Sequence, residues 1–169
     1  MPTLTACGID PGRTGGIALF SCTLSPGHKP RPGDIEPLAV WRMPELDGTP
    51  WPADIVAAIQ AADLVVIEMQ QAMPGQGVTG MVSLGRAEGI VLGILACSPF
   101  EPILLRPRPS AWKKRMGLTS DKDLSVKIVG GLWPSLAPRL VGPRGGKLDG
   151  LAEACALAFY GISQHCLPN

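Results

Sequence analysis

The sequence predicts an α/β fold in which a five-stranded mixed sheet is flanked by helices. Three observations carry that reading. Short apolar runs bounded by turn residues alternate with longer stretches of helical period. The first two runs are joined by a glycine-rich turn, as in an antiparallel hairpin. A later run, Leu64-Val65-Val66-Ile67, is apolar at every position, as strands buried on both faces of a parallel sheet are. A length of 169 residues suits a single domain over 1–169 with a sizeable core.

In chain order, Leu4 to Asp10 reads as the first strand, Pro11 to Gly16 as a turn, and Ile17 to Cys22 as the second strand. Ser25 to Pro37, with four prolines and two glycines, reads as an exposed loop, and Leu38 to Met43 as the third strand. Pro52-Ala53-Asp54 opens a short helix through Ala62, with Ile55, Val56 and Ile59 on one face. That helix leads into the run ending at Glu68. Beyond it, Gly75-Gln76-Gly77-Val78-Thr79-Gly80 spells G-x-G-x-x-G, a pattern that can bind dinucleotides. Six residues separate Glu68 from Gly75, whereas that fingerprint needs its first glycine in the turn directly after the strand, so a nucleotide role is disfavoured.

Ser83 to Cys97 is the strongest helical stretch, with Ser83 as its cap and Gly85, Gly89 and Gly93 every fourth residue. Three glycines cost roughly 1 kcal/mol each relative to alanine, tolerable where another backbone comes close. Packing on the sheet is the expectation, and a dimer face the alternative. Ile103 to Leu105 makes the fifth strand. Helices follow over Pro109 to Met116 and Asp121 to Leu132, then a glycine- and proline-rich loop over Pro138 to Gly146. Its Gly142-Pro143-Arg144-Gly145-Gly146-Lys147 is no P-loop, being one residue short and followed by Leu148. The last helix runs from Asp149 to about Ile162.

Charge is unevenly spread. Arg106 to Lys147 holds ten basic residues against two acids, leaving five basic and twelve acidic residues elsewhere. Such a block fits either a solvated loop or a polyanionic partner, and Trp112 and Trp133 within it favour the latter. The five cysteines are scattered without a C-x-x-C, and with two histidines they make a structural zinc site improbable; buried thiols in a reducing cytosol are the simplest account. The N-terminal residues lack signal-peptide features, and no apolar run is expected to approach membrane-spanning length, so the expectation is a soluble, cytoplasmic protein with no membrane partner.

Four carboxylates stand out. Glu68 ends a fully apolar strand, at the end of an open α/β sheet where ligands bind, although a strand end reaching water would look the same. Asp10 ends another apolar strand before a glycine turn, as aspartates also do for turn geometry alone. If the first and fourth strands are parallel neighbours about 4.8 Å apart, the two acids meet at one sheet edge. Asp149 and Glu153 lie four apart on one face of an otherwise apolar helix, with no lysine spaced along that helix to relieve their repulsion. The helix dipole explains Asp149 better than Glu153. Four converging carboxylates cannot all stay ionised alone and suit hard divalent cations, a pair of which promotes phosphodiester cleavage.

Gly8-Ile9-Asp10-Pro11-Gly12 with Gly15-Gly16, Val66-Ile67-Glu68, Ser83 to Gly89, Trp112-Lys113-Lys114, and Asp149-Gly150 with Ala152-Glu153-Ala154 together resemble the RuvC-like Holliday-junction resolvases. Pro109 to Lys113 and Trp133 to Leu136 are most similar to the chloroplast-type branch. The resemblance spans Gly8 to Gly161. It implies an RNase H-like fold and a homodimeric crossover junction endodeoxyribonuclease that uses two Mg2+ or Mn2+ ions per site and makes paired nicks across a four-way DNA junction. It further implies Asp10, Glu68, Asp149 and Glu153 as metal ligands and Lys113 as a catalytic lysine. DNA contacts are implied for Arg13, Gln70, Gln71, Met73, Arg86, Lys114, Arg115, Lys122, Arg144 and Lys147. Residues 69 to 99 contain no aromatic residue where relatives often place a wedge at the junction centre; Gln71 or Met73 could substitute. Two rivals share these features: a nuclease of the same fold acting on RNA–DNA hybrids or flaps, and a non-cleaving junction-binding protein.

Overall fold

The computed structural model describes residues 1–25, 27–47, 49–71, 75–119 and 121–166. Among the described residues, seven strands and five α-helices follow one another as β1 (Thr3–Asp10), β2 (Gly16–Thr23), β3 (Ile35–Arg42), β4 (Glu45–Leu46), β5 (Thr49–Pro50), α1 (Pro52–Gln60), β6 (Leu64–Ile67), α2 (Val78–Ala96), β7 (Ile103–Leu105), α3 (Pro109–Met116), α4 (Lys122–Leu132) and α5 (Asp149–His165). The main sheet has five strands in the order β3-β2-β1-β6-β7. The first three are antiparallel, while β1, β6 and β7 run parallel. This is the mixed sheet flanked by helices that the sequence predicts.

Local chemistry sets most boundaries where expected. Pro52 and Pro109 occupy first-turn positions, where a missing N–H costs nothing. Gly117 ends α3 in the left-handed conformation (φ 66°), and the Asp121 side chain caps α4 by accepting from the Asp123 N–H at 2.9 Å.

Four expectations need correcting. First, β3 starts at Ile35 inside the expected Ser25–Pro37 loop: Ile35 is buried and pairs with Cys22, and Pro37 is accommodated because β3 is an edge strand with a register shift beside it. Second, α2 begins at Val78 rather than at Ser83, because the chain is already helical over Val78 and Val82, both exposed to solvent. Third, the glycine row of α2 faces outward; Gly85, Gly89 and Gly93 are exposed, with no neighbouring atom within 4 Å of where a Cβ would stand, while Ala87 and Val91 face the sheet. Fourth, α2 is a 19-residue helix with a mean hydropathy of 1.4 over its apolar window, so by length and composition alone one segment does reach membrane-spanning size. Three smaller elements also went unforeseen, the first a 3₁₀-helix over Pro32–Asp34 just before β3. The β4–β5 hairpin is too short to show alternation, and the 3₁₀-helix Pro134–Leu140, which buries Leu136 and Leu140, takes up the start of the expected 138–146 loop. All five cysteines are free thiols, and Cys97 is exposed rather than buried.

The apolar residues divide between the two faces of the sheet. Leu64 and Val66 join a core with Phe20, Trp112, Trp133 and α5, whereas Val65 and Ile67 join Cys7, Ile9, Ile17 and Val91 beneath α1 and α2. The run 64–67 is thus buried on both sides, which is why it carries no polar alternation.

Glycines let α5 lie unusually close to the first face. A Cβ at Gly8 would stand 2.1 Å from the Ala154 carbonyl oxygen, one at Gly16 would stand 2.8 Å from the Leu151 Cα, and one at Gly161 would stand 2.4 Å from the Val66 Cγ2. The Gly8 contact is with helix backbone, which cannot swing aside. Gly8→Ala is therefore expected to lower stability by roughly 1–3 kcal/mol, read as a reduced denaturant midpoint. An unchanged midpoint would mean that α5 lifts off without cost.

Candidate active site

Period-2 alternation in β1 and β6 decides where the strand-end acids point. Ile9 pairs with Ile67 across the parallel ladder, and the Glu68 N–H continues it by donating to the Ile9 carbonyl at 3.4 Å. Asp10 and Glu68 are therefore adjacent. Both follow residues that face α1 and α2, so both turn toward α5. Gly150, in the first turn of α5, lies against Asp10: a Cβ there would stand 2.8 Å from Asp10 Oδ2. Asp149 and Glu153 stand beside it, with side chains 21% and 15% exposed.

The acids are not left to repel one another. Asp10 Oδ1 accepts the Gly12 N–H at 3.0 Å. Glu68 accepts the Trp112 indole N–H at 3.0 Å on Oε1 and a longer bond from the Gln70 amide, 3.4 Å, on Oε2. Lys113 Nζ bonds Glu153 at 2.8 Å, and Lys122 Nζ meets Asp149 at 3.0 Å. Sequence spacing along α5 offered no lysine to relieve the pair; the lysines arrive from α3 and α4 instead.

Burial, followed by the charges of Glu68 and Glu153, pushes Asp10 up to about 7, against the Gly12 hydrogen bond. Burial also raises Glu68, opposed by Lys113 and by the Trp112 and Gln70 hydrogen bonds. Asp149 raises Lys122, with smaller help from Glu153 and Asp10. These mutual influences place all four acids in one electrostatic cluster. Among the described residues, no three Asp, Glu, His or Cys side chains are arranged to hold an ion as they stand. As they stand, Glu153 and Asp149 are each paired with a lysine. The donor set itself fits a hard divalent cation: it is all carboxylate oxygen, and burial raises both of its sheet members, Asp10 and Glu68, which favours an added positive charge beside them.

Among the other expected contact residues, Arg13, Gln71, Arg86, Lys114, Arg115, Lys122, Arg144 and Lys147 are exposed. Gln70 is half-buried beside Glu68, Lys147 pairs with Asp123 at 2.6 Å, and Met73 lies outside the described residues. Two residues were not anticipated. Trp112 is wholly buried against Glu68. Glu88 pairs with Arg106 and accepts the Gln70 N–H at 3.4 Å, tying α2 to the strand that follows it and to the loop after Glu68. A buried strand-end carboxylate needs donors, and that requirement was the available signal for the first. A cavity of about 450 Å³ lined by Leu24, His28, His165 and Cys166 lies at the opposite end of β1 and takes no part.

No family model matches the chain, and no curated protein does. Among solved structures the fold is that of the RuvC-type resolvases. T. thermophilus RuvC in complex with a Holliday junction substrate matches with a TM-score of 0.61 and 16% identity over 96% of this chain and 95% of that one. Fowlpox virus resolvase in complex with substrate Holliday junction DNA matches at 0.54 with 13% identity, covering 97% and 100%. The yeast mitochondrial Holliday junction resolvase Ydc2 matches at 0.50 with 14% identity, covering 96% and 80%.

Asp10 is an acid whose folded pKa lies above its ordinary 3.8, so its contribution favours the fold at low pH and is lost as pH rises through about 7. In chelator, the protein is expected to melt at a lower temperature near about pH 8 than near about pH 5. Asp10→Asn should remove much of that difference and melt above wild type at the higher pH. A variant less stable than wild type there would contradict the assignment.

Proposed function

We propose that the chain is a metal-dependent endonuclease that resolves four-way DNA junctions by paired nicks, working as a homodimer. The observation that carries this is the placement of Asp10 and Glu68 side by side at the carboxyl ends of β1 and β6, facing Asp149 and Glu153 on α5. The fold it shares with proteins solved on Holliday junction DNA supports the choice of substrate. Asp10, Glu68, Asp149 and Glu153 would hold two Mg2+ or Mn2+ ions, which when bound supply Lewis-acid charge and an activated water.

The chain's own residues define the rest. Lys113 and Lys122 line the rim of the acid cluster, and each can exchange its carboxylate for a phosphate oxygen. Lys114, Arg115 and Arg144 add exposed positive charge that positions a DNA backbone without reading sequence. Gln70 and Gln71, between Glu68 and α2, offer amides that can read base edges. The proposed site of action is the cytoplasm, at the nucleoid if the protein is bacterial or viral, or an organelle if it is eukaryotic.

The outward glycine face of α2 is the proposed dimer face. Its apolar surface is exposed along the helix, and Gly85, Gly89 and Gly93 would let a second backbone approach. Gly89→Arg should convert a dimer to a monomer in sedimentation velocity while leaving the melting temperature of the fold nearly unchanged. A wild-type protein that sediments as a monomer at micromolar concentration would refute the dimer.

Glu68→Gln and Asp10→Asn are expected to reduce junction nicking in Mg2+ by several orders of magnitude while retaining junction binding in a mobility-shift assay. Wild-type protein should nick a four-way junction in preference to a flap or an RNA–DNA hybrid offered in competition. Cleavage by either variant at the wild-type rate, or preferential cutting of the hybrid, would overturn the reading.

A further inference from the structure

We propose that Trp112 is a positioning residue for Glu68: its indole N–H fixes one carboxylate oxygen so that the other is presented to the bound ion. The inference rests on the nuclease reading above. Trp112 is fully buried, Glu68 is 8% exposed, and Nε1 lies 3.0 Å from Oε1. An indole offers one donor and no acceptor, so buried in the core it has a single use for its hydrogen. Among the described residues, the opposing oxygen receives the longer 3.4 Å bond from Gln70, which a cation can displace.

The choice of donor matters. A lysine or arginine on Glu68 would orient the carboxylate but also neutralise it, weakening its pull on a divalent ion. An indole carries no charge and no titratable proton, so it orients Glu68 without discharging it. The next residue, Lys113, does hold a charge, and it is directed to Glu153 with its ammonium 5.2 Å from the Trp112 ring centroid. One turn of α3 thus reaches both sides of the acid cluster, with a neutral donor to the sheet acid and a charged one to the helix acid. Pro109 at the start of α3 and left-handed Gly117 at its end fix the helix, and the buried ring anchors it.

The test titrates Mn2+ alone, without DNA, into metal-free protein by calorimetry, comparing wild type, Trp112→Phe, Glu68→Gln and the double variant. Trp112→Phe keeps an aromatic ring and removes the N–H. It is expected to weaken Mn2+ binding roughly tenfold or more and to raise by a similar factor the Mn2+ needed for half-maximal nicking, with junction KM unchanged. In the Glu68→Gln background the same substitution should add no further loss. Equal losses in both backgrounds would mean general loosening of the core and would overturn the proposal, as would no loss in either.

A second measurement does not depend on Trp112→Phe folding. Trp41 and Trp51 are exposed, whereas Trp112 and Trp133 bury their N–H groups against Glu68 and the Pro32 carbonyl, so two of four indole signals in a 15N spectrum should resist exchange. One protected signal should shift on adding Mg2+ and also in Glu68→Gln; if neither perturbation moves one, the proposal fails. Wild-type protein that neither binds Mn2+ nor nicks junctions would bring down the functional reading and this inference together. An active wild type with an unaffected Trp112→Phe would bring down this inference only.

Discussion

The close approach of α5 to the sheet is the constraint on which the rest of the structure depends. A helix resting on ordinary side chains would hold Asp149 and Glu153 too far from the strand ends to share charge with Asp10. Here Gly8 and Gly16 on the sheet, and Gly150 and Gly161 on the helix, remove the intervening Cβ atoms, and the helix backbone settles against the strands. Ten residues of α5 are buried as a result, so the helix is apolar nearly all round, and its two acids lie beside the strand-end acids and their lysine partners. Packing and chemistry are therefore one arrangement rather than two: the contacts that stabilise the core also aim the carboxylates.

That arrangement creates an electrostatic problem, which the basic stretch resolves. Converging carboxylates in a partly buried place repel, and the raised Asp10 and Glu68 register that repulsion on top of burial. Lys113 and Lys122 supply counter-charge at the two helix acids, and both come from the 106–147 block. The block therefore serves two ends at different distances from the sheet. Its first lysines on α3 and α4 hold the acids apart from one another, while its exposed members present positive charge around them. Sequence charge alone suggested only the second.

How much was legible follows from the range of each signal. The parallel neighbours β1 and β6 could be anticipated because two apolar runs each ended in one acid, and alternation then fixes the face to which Asp10 and Glu68 turn. Asp149 and Glu153 were legible from helical spacing. Contacts between distant segments were not: nothing in the order of residues ties Lys113 to Glu153 across forty positions, or Trp112 to Glu68 across forty-four. The α2 glycines show the same limit from the other side. Their spacing says that something can come close, but only the structure shows that the sheet takes Ala87 and Val91 instead and that the glycines look outward. The β4–β5 hairpin and the early start of β3 escaped because strands of two residues, or a strand begun within a proline-rich stretch, carry no usable period.

The costs in this fold argue for chemistry over passive binding. A protein that only held DNA would gain from removing Asp10, Glu68, Asp149 and Glu153, since negative charge repels phosphate and buried acids weaken the fold as pH rises. Instead the chain surrounds them with donors of graded strength: a backbone N–H for Asp10, an uncharged indole for Glu68, and lysines for the helix pair. The two acids on the sheet, whose geometry the strands already fix, accept hydrogen bonds from neutral donors, so no direct ion pair discharges them. The two on the helix, which repel one another at one-turn spacing, receive cations. Such a division offsets the repulsion of the helix pair while leaving the sheet acids without a direct ion pair, as the proposed metal site requires.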